Sequence, residues 1–242
     1  MKTVIVDNDN LSITFTEGDT GTAVVTFSGV GLAVGNTPQE EFVKTMQGAR
    51  HAQFFVVDKL RSWYNATAPD IIAHLSPILM RYRKVATLGN SMGGFGAVYF
   101  ASRLPNCSAA ISFVPQFSVN AVIVPRETRW REYRSRIETW NVRHALEAAS
   151  DDPEILLFFG TQEPRDLDHL ALFREHATRR TSIWSLDGAR HGAARYLKRE
   201  GHLRALLDSV IVRDEGAAGV ERLLERHEVP HTFWSGSAAL QQ

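Results

Sequence analysis

The sequence predicts a three-layer α/β sandwich whose sheet is mostly parallel, with an antiparallel edge at its N-terminal end. Over most of the chain, short apolar β-branched segments alternate with segments of helical periodicity, which is typical of βα units and parallel sheets. The first third instead places strand-like segments one after another, as antiparallel strands do. The 242 residues suit a single domain over 1–242, because wound sheets often exceed about 150 residues as one domain.

The N-terminal edge is predicted from residues 3–6 and 11–15, which are separated by the turn sequence Asp-Asn-Asp-Asn. Residues 11–15 alternate apolar and polar side chains, as a strand with one buried face does. The later strands are predicted at 22–27, 52–57, 84–88, 108–113, 154–159 and 182–185. Apolar spacing and capping residues predict helices at 37–50, 68–83, 91–104, 166–178 and 193–212.

Two segments interrupt the alternation of strands and helices. Residues 114–150 lie between two predicted strands and are too long for an ordinary connection, so we expect a lid or cap. Most of their arginines are expected on a solvated face, with one or two turned inward to bind an anionic substrate group as the alternative. The tail, 229–242, is rich in polar and small residues and is expected to dock loosely or fray.

The composition excludes several classes of protein. Twenty-seven basic residues balance 27 acidic ones, so no long-range field attracts nucleic acid. Cys107 is the single cysteine and can form neither an internal disulfide nor a thiolate metal site. The N-terminal residues do not form a secretory signal, and no apolar run approaches the roughly 20 residues that span a bilayer. We therefore expect a soluble cytoplasmic protein with no metal and no cofactor. The sequence gives no indication of its oligomeric state.

The most informative motif is Gly-x-Ser-x-Gly at Gly89, Ser91 and Gly93, with a strand-like run before it and a helical pattern after it. This context is that of a nucleophile elbow, a sharp strand-to-helix turn that projects a serine hydroxyl. The glycines are needed where the strand and the helix approach closely. A serine at a helix N-terminus also lies where the helix dipole favours developing negative charge.

The order of elements and the sequence Gly-Asn-Ser-Met-Gly-Gly resemble the α/β-hydrolase superfamily over roughly residues 20–210. The resemblance implies an α/β-hydrolase-like fold and a catalytic triad in the chain order serine, acid, histidine. His191 follows the last predicted parallel strand, where the family places its base. His169, in contrast, is on a helical stretch and is expected to be solvated or to cap the helix.

The acid has two candidates in the segment that follows strand 154–159. Glu163 stands three residues after Gly160, which is the usual position of the acid in the family, and it is preferred. Asp166 is the alternative, either as the acid or only as the N-cap of the next helix. The role in either case is to accept a hydrogen bond from the imidazole and stabilise the imidazolium.

The resemblance also implies an oxyanion hole made of two backbone N–H groups. One belongs to Met92, the residue after the serine, and Val30 is the closest match to the second donor. Arg61, Trp63 and Tyr64 follow the strand 52–57. Because strand C-terminal ends meet the ligand crevice in open α/β sheets, we expect these side chains either to contact substrate or to pack beneath the lid.

The leading hypothesis is a serine hydrolase that cleaves a carboxylic ester or thioester of a small molecule through an acyl-enzyme on Ser91. An acyltransferase with the same triad is a variant, because it differs only in the acceptor that reaches the acyl-enzyme. A non-catalytic accessory protein of the same fold is the alternative from another class. A nucleotide-binding loop is disfavoured, since the glycine-rich segment lacks the lysine of a P-loop.

Overall fold

Nine strands of the described residues, 2–31 and 37–239, form one sheet in this computed structural model. They are β1 (Lys2–Asp7), β2 (Leu11–Thr16), β3 (Thr22–Phe27), β4 (Ala52–Asp58), β5 (Lys84–Asn90), β6 (Cys107–Phe113), β7 (Glu154–Gly160), β8 (Thr181–Leu186) and β9 (His231–Ser235). Their order is β1-β2-β4-β3-β5-β6-β7-β8-β9. The pairs from β4 through β3 to β8 are parallel, and both edges are antiparallel. The predicted mostly parallel sheet with an antiparallel N-terminal edge is confirmed.

Helices cover both faces of this sheet. They are α1 (Val43–Met46), α2 (Ala68–Leu79), α3 (Met92–Ala101), α4 (Arg131–Arg134), α5 (Pro164–Glu175), α6 (Ala193–Arg199), α7 (Leu203–Ile211), α8 (Gly216–Arg226) and α9 (Gly236–Ala239). None of the helices in these described ranges has the length and apolar character needed to span a bilayer.

The core is divided by the sheet into two apolar clusters. In β7, Ile155, Leu157 and Phe159 belong to one cluster, whereas Leu156 and Phe158 belong to the other. This alternation follows from the pleat of a strand, which sends successive side chains to opposite faces. The first cluster includes residues of α2, α3 and α5, and the second those of α6, α7 and α8. The result is the predicted three-layer arrangement.

Two predicted helices differ from those observed. The predicted helix 37–50 contains only α1, because Phe42 adopts a left-handed conformation with φ of 61° and interrupts helical geometry before it. The predicted helix 193–212 is divided into α6 and α7 at Gly201, whose φ is 80°. A left-handed residue cannot continue a right-handed helix, and glycine adopts that conformation without a Cβ clash.

The C-terminal tail is more ordered than its composition predicted. β9 pairs with β8 in antiparallel register, and the rings of Phe233 and Trp184 lie 5.1 Å apart. The expectation that this tail docks loosely or frays is therefore wrong for 229–239, because the backbone of β8 offers a free edge that β9 completes. Residues 240–242 lie outside the described ranges. α8 was not predicted as a separate helix.

Residues 114–150 connect β6 to β7 with one short helix, α4. Several of their large apolar side chains are buried: Phe117, Trp130 and Tyr133 belong to the first cluster. The segment is also fixed by Asn65, whose side-chain oxygen accepts a hydrogen bond of 2.8 Å from the Val142 N–H. It therefore packs onto the elements that carry the candidate site, while its role as a lid remains a prediction.

Candidate active site

The turn between β5 and α3 places Ser91 in a strained conformation, with φ of 58° and ψ of −120°. A Cβ added at Gly89 would lie 2.0 Å from the Gly93 carbonyl oxygen, and one at Gly93 would lie 2.2 Å from the Phe27 oxygen. Real atoms do not approach that closely, so a side chain at Gly89 would force β5 and α3 apart, and one at Gly93 would push α3 away from the end of β3. The Gly-x-Ser-x-Gly spacing is thus required by the close contact that creates the bend.

His191 faces the serine from the loop between β8 and α6. Its Nε2 atom lies 3.0 Å from Ser91 Oγ, although the two residues are 100 positions apart in sequence. Its Nδ1 atom lies 2.8 Å from one carboxylate oxygen of Asp166 and 3.0 Å from the other. Because an ionised carboxylate only accepts hydrogen bonds, Nδ1 carries the proton and Nε2 is free to accept the serine proton.

Of the two acid candidates, Asp166 contacts His191, and Glu163 has the capping role that was considered for Asp166. Glu163 is the N-cap of α5 and accepts a hydrogen bond from the Arg165 N–H, whereas Asp166 lies in the first helical turn and is buried against His191. The preference for Glu163 is therefore corrected in favour of Asp166. The physical reason is Pro164, which begins the helix directly after Glu163 and so gives this residue the capping role.

Asp166 is neutralised by an arginine from the segment between β6 and β7. Arg129 donates a hydrogen bond of 2.8 Å to Asp166 and forms a second ion pair with Glu127. Glu127 also accepts a hydrogen bond from His169 Nε2 at 3.1 Å. Burial alone would raise the pKa of Glu127, but the hydrogen bonds from His169 and Arg129 prevail and lower it to about 2. The inward arginine therefore contacts two carboxylates of the protein.

His169 is buried, contrary to the expectation that it is solvated or caps the helix. Its Nδ1 atom accepts a hydrogen bond of 3.2 Å from the Phe117 N–H, which leaves the proton on Nε2 to donate to Glu127. A neutral imidazole satisfies both contacts. His169 thus joins α5 to the segment that supplies Arg129. The spacing of apolar residues along α5 did not indicate that this histidine is buried.

Gln116 is a second polar contact of Ser91. Its segment follows the end of β6, which is a position that can face the crevice, but the sequence gave it no specific role. Gln116 is fully buried, and its side-chain Nε2 donates a hydrogen bond of 3.0 Å to Ser91 Oγ. Its Oε1 accepts a hydrogen bond of 3.2 Å from Trp63 Nε1. Because an indole N–H can only donate, the oxygen of the amide must face Trp63 and the NH2 group must face Ser91.

The loop after β4 carries Trp63 and is folded by hydrogen bonds to one buried carboxylate. Asp58 is fully buried and accepts hydrogen bonds from the backbone N–H groups of Leu60, Ser62 and Tyr64. Burial raises the pKa of Asp58, against the effect of these donors. The bonds fold the loop tightly enough that Arg61, Trp63 and Tyr64 all have positive φ angles.

Trp63 and Tyr64 are corrected as residues expected to contact substrate. Both side chains are completely buried. Trp63 packs against Trp130, and the Tyr64 hydroxyl donates a hydrogen bond to the Ser28 carbonyl oxygen. Of the two expected alternatives, packing beneath the segment 114–150 is the one observed for Trp63. Arg61 is not among the residues that line the groove at Ser91 either, and its Nε donates a hydrogen bond of 2.7 Å to the Val30 carbonyl oxygen.

The loop after β3 carries the expected second oxyanion donor, Val30. Its carbonyl is held by Arg61, and the preceding Gly29 N–H donates to the Glu41 carboxyl at 3.0 Å. Among the described residues, no hydrogen-bond acceptor is paired with the N–H of Val30 or of Met92. Neither N–H is therefore used within the fold, and their role as an oxyanion hole remains a prediction.

Glu41 is an ionisable group beside this loop that the sequence did not single out. Burial raises the pKa of its carboxyl from 4.5 to about 7, although the Gly29 N–H acts in the opposite direction. A Cβ at Gly29 would lie within 2.6 Å of the Glu41 carboxyl and 3.3 Å of the Asn90 carbonyl oxygen. The carboxyl is thus close to the residue that precedes Ser91.

Ser91 and His191 open onto a groove of about 720 Å³. One wall is the segment from Glu40 to Thr45, and the other is formed by α6 and the start of α7. Trp130 from the segment 114–150 borders the same space. The groove is large enough for a drug-sized ligand, for which pockets of roughly 300–1,000 Å³ are typical.

No protein-family model matches this chain, and no curated protein matches its sequence. Solved structures do match its fold. The chain is similar to the capsule O-acetyltransferase of Neisseria meningitidis serogroup A, with a TM-score of 0.58, 13% identity, and coverage of 85% of this chain and 92% of that one. It is also similar to Thermogutta terrifontis esterase 2, with a TM-score of 0.57, 18% identity, and coverage of 90% and 96%.

A third match is the 2,6-dihydroxy-pseudo-oxynicotine hydrolase, with a TM-score of 0.60, 15% identity, and coverage of 88% of this chain and 68% of that one. The chain has the α/β-hydrolase fold. Within this fold, Ser91 lies at the turn between β5 and α3, Asp166 follows β7, and His191 follows β8. The structural neighbours are hydrolases, esterases and an acetyltransferase, so the hydrolase fold accommodates both hydrolysis and acyl transfer.

Proposed function

We propose that this protein is a serine hydrolase that cleaves a carboxylic ester or thioester through an acyl-enzyme on Ser91. The observation that carries the proposal is the pair of contacts of His191, with Ser91 Oγ at 3.0 Å and Asp166 at 2.8 Å. Nucleophile, base and orienting acid in hydrogen-bond reach, beside a groove, are the features that serine-dependent acyl transfer requires.

In the acylation step, Ser91 Oγ forms a bond to the acyl carbon while its proton passes to His191 Nε2. The carbonyl oxygen becomes an oxyanion, which the N–H groups of Met92 and Val30 stabilise. When the intermediate collapses, His191 gives the proton to the departing alcohol or thiol. Asp166 accepts from His191 Nδ1 throughout and stabilises the imidazolium without taking its proton.

In the deacylation step, water gives a proton to His191 and its oxygen bonds to the acyl carbon. The bond from that carbon to Ser91 Oγ then breaks, and the proton on His191 returns to Oγ to release a carboxylic acid. An alcohol in place of water would give a new ester, so acyl transfer is the second candidate function. The likeness in fold to an O-acetyltransferase is the observation that favours it.

The proposed substrate is a small-molecule acyl ester, since the groove at Ser91 has the volume of a small-ligand site. The cytoplasmic location inferred from the sequence remains a prediction. A non-catalytic accessory role is the remaining alternative, and it requires that the paired serine and histidine have no reactivity.

Hydrolysis of p-nitrophenyl acetate by the wild-type protein, Ser91→Ala and His191→Ala tests the proposal. We expect turnover by the wild type and a loss of roughly 1,000-fold or more in both variants. Equal rates in all three proteins would contradict it and favour the accessory role. Glycerol or a sugar alcohol added to the same assay distinguishes the two reactions, because a transferase forms the new ester at the expense of free acetate.

A further inference from the structure

The hydrogen bond from Gln116 to the nucleophile is not needed to activate a serine. His191 already accepts the hydroxyl proton, and Gln116 occupies the acceptor side of the same oxygen. The amide is completely buried and is held by Trp63, so it cannot turn away without leaving the indole N–H unpaired. A fixed donor of this kind favours whichever state places more negative charge on Ser91 Oγ.

The charge on Oγ differs between the two halves of the reaction. During acylation Oγ donates its electrons to the acyl carbon, so the amide N–H competes for the electron pair that attacks. In the acyl-enzyme Oγ is an ester oxygen, which is a weak acceptor. During deacylation the bond from carbon to Oγ breaks, the electron pair stays on Oγ, and the proton arrives from His191. A hydrogen bond to this departing oxygen is strengthened by its charge.

We propose that Gln116 is a catalytic hydrogen-bond donor that stabilises Ser91 Oγ as the leaving group of deacylation, with Trp63 as the residue that orients it. This inference rests on the proposed function, since it concerns the release of an acyl group from Ser91. It adds a residue from the start of the segment 114–150 to the catalytic machinery. Gln116 neither gains nor loses a proton in this step: Oγ leaves the acyl carbon with its electron pair and receives the proton of His191.

The test follows acylation and deacylation separately, with p-nitrophenyl acetate as the probe. Rapid mixing gives the rate of acylation from the nitrophenolate burst, and intact-protein mass gives the decay of the acetyl adduct. In Gln116→Met, which preserves volume without a donor, we expect deacylation to slow by roughly 10- to 100-fold more than acylation. The acetyl-enzyme then accumulates.

Gln116→Glu provides a second variant should the first fold poorly. Because burial raises the pKa of a carboxyl, this variant is compared at a pH high enough to ionise it. The ionised carboxylate keeps the bond from Trp63 but has no proton to donate to Oγ, so the same selective slowing is expected there. Trp63→Phe leaves the amide present but unanchored, and a smaller selective effect is expected. A purely structural role of Gln116 would lower both rate constants alike or lower the reactive fraction.

The outcomes distinguish this inference from the proposed function. Selective slowing of deacylation in the Gln116 variants supports it. Equal factors for acylation and deacylation, or unchanged rates in Gln116→Met, overturn it while the proposed function stands. A wild-type protein that forms no acetyl adduct on Ser91 overturns the proposed function and this inference together.

Discussion

Arg129 donates a hydrogen bond of 2.8 Å to Asp166, so the long segment between β6 and β7 holds the carboxylate that contacts His191. Glu127, from the same segment, completes the pair of acids on this arginine. Both carboxylates are almost fully buried. Arg129 therefore stabilises the two buried carboxylates by neutralising their charge and reducing their mutual repulsion.

Replacing Arg129 with methionine leaves Asp166 and Glu127 buried without their cation. Removing one partner of a buried ion pair costs about 3–5 kcal/mol, because the remaining charge is desolvated and unpaired. We expect a loss of this size in the free energy of unfolding, measured with urea. Arg136→Met is the matched control, since its pair with Glu132 is exposed and contributes roughly 1 kcal/mol or less. Equal losses of unfolding free energy in the two variants would show that Arg129 does not stabilise the buried carboxylates more than Arg136 stabilises an exposed one.

The assignment of Asp166 over Glu163 predicts different effects of two conservative substitutions. Asp166→Asn replaces the acceptor of His191 Nδ1–H and favours the wrong tautomer of the imidazole, so kcat should fall by about 10³–10⁴. Glu163→Gln retains an N-cap acceptor and should leave kcat within about twofold. The measurement is hydrolysis of p-nitrophenyl acetate at neutral pH. A greater loss in Glu163→Gln than in Asp166→Asn would reverse the assignment.

Glu41 predicts a decline of activity above neutral pH. Below its pKa of about 7 the carboxyl is neutral. Above that pH its charge lies beside the Gly29 N–H, near the oxyanion that the reaction would form, so kcat/KM should decrease. Glu41→Gln keeps the acceptor without the charge, and the decline should disappear. An identical pH profile for the two proteins would exclude this role of Glu41.

The same carboxyl affects stability, and the sign follows from its raised pKa. Between pH 4.5 and about 7 the folded protein holds a proton that the unfolded chain releases. The contribution of Glu41 to stability is therefore complete below pH 4.5 and is lost as the pH rises through this window. Urea unfolding of Glu41→Gln against the wild type at pH 5 and pH 8 measures it, with the larger relative benefit of the variant expected at pH 8.

The groove predicts a preference for anionic acyl esters. Lys44, Arg195 and Lys198 border it, and no carboxylate is paired with them among residues 2–31 and 37–239. Of the two described carboxyl groups that border it, Glu40 is paired with Lys2 and Glu41 has a pKa raised to about 7, so the cations outweigh the anions near neutral pH. Arg195→Gln combined with Lys198→Gln should raise KM for p-nitrophenyl hemisuccinate several-fold, with the effect weakened by salt. KM for neutral p-nitrophenyl acetate serves as the control and should be unchanged. Equal changes for both esters would mean that the cations do not select charge.

The elbow could be predicted from the sequence because its cause is local. Gly89, Ser91 and Gly93 are within five residues, and the contact that requires Gly89 is with the adjacent turn of α3 at Gly93. The contact that requires Gly93 is with Phe27 of the neighbouring strand β3, but the motif records both requirements in one short segment. His191 was found for a similar reason, as it follows the last parallel strand directly. The choice between Glu163 and Asp166 was not local, because it depended on which side chain turns from α5 toward His191.

The contacts of Gln116 and Arg129 could not be predicted from their surroundings in the sequence. Arg129 is one of six arginines in the segment 114–150, and nothing in the pattern distinguishes the one that turns inward. Gln116 follows a strand without any motif, and its importance comes from Trp63, 53 residues earlier. Trp63 was expected either to contact substrate or to pack beneath the lid, and the tight loop around Asp58 buries it completely.

The most direct test of the account is the site of covalent reaction with a fluorophosphonate. The paired Ser91 and His191 predict one adduct per chain, located by peptide mapping on Ser91 and absent from both Ser91→Ala and His191→Ala. An adduct on another residue, or a wild-type protein that stays unmodified while its fold is intact, would contradict the claim that Ser91 is an activated nucleophile.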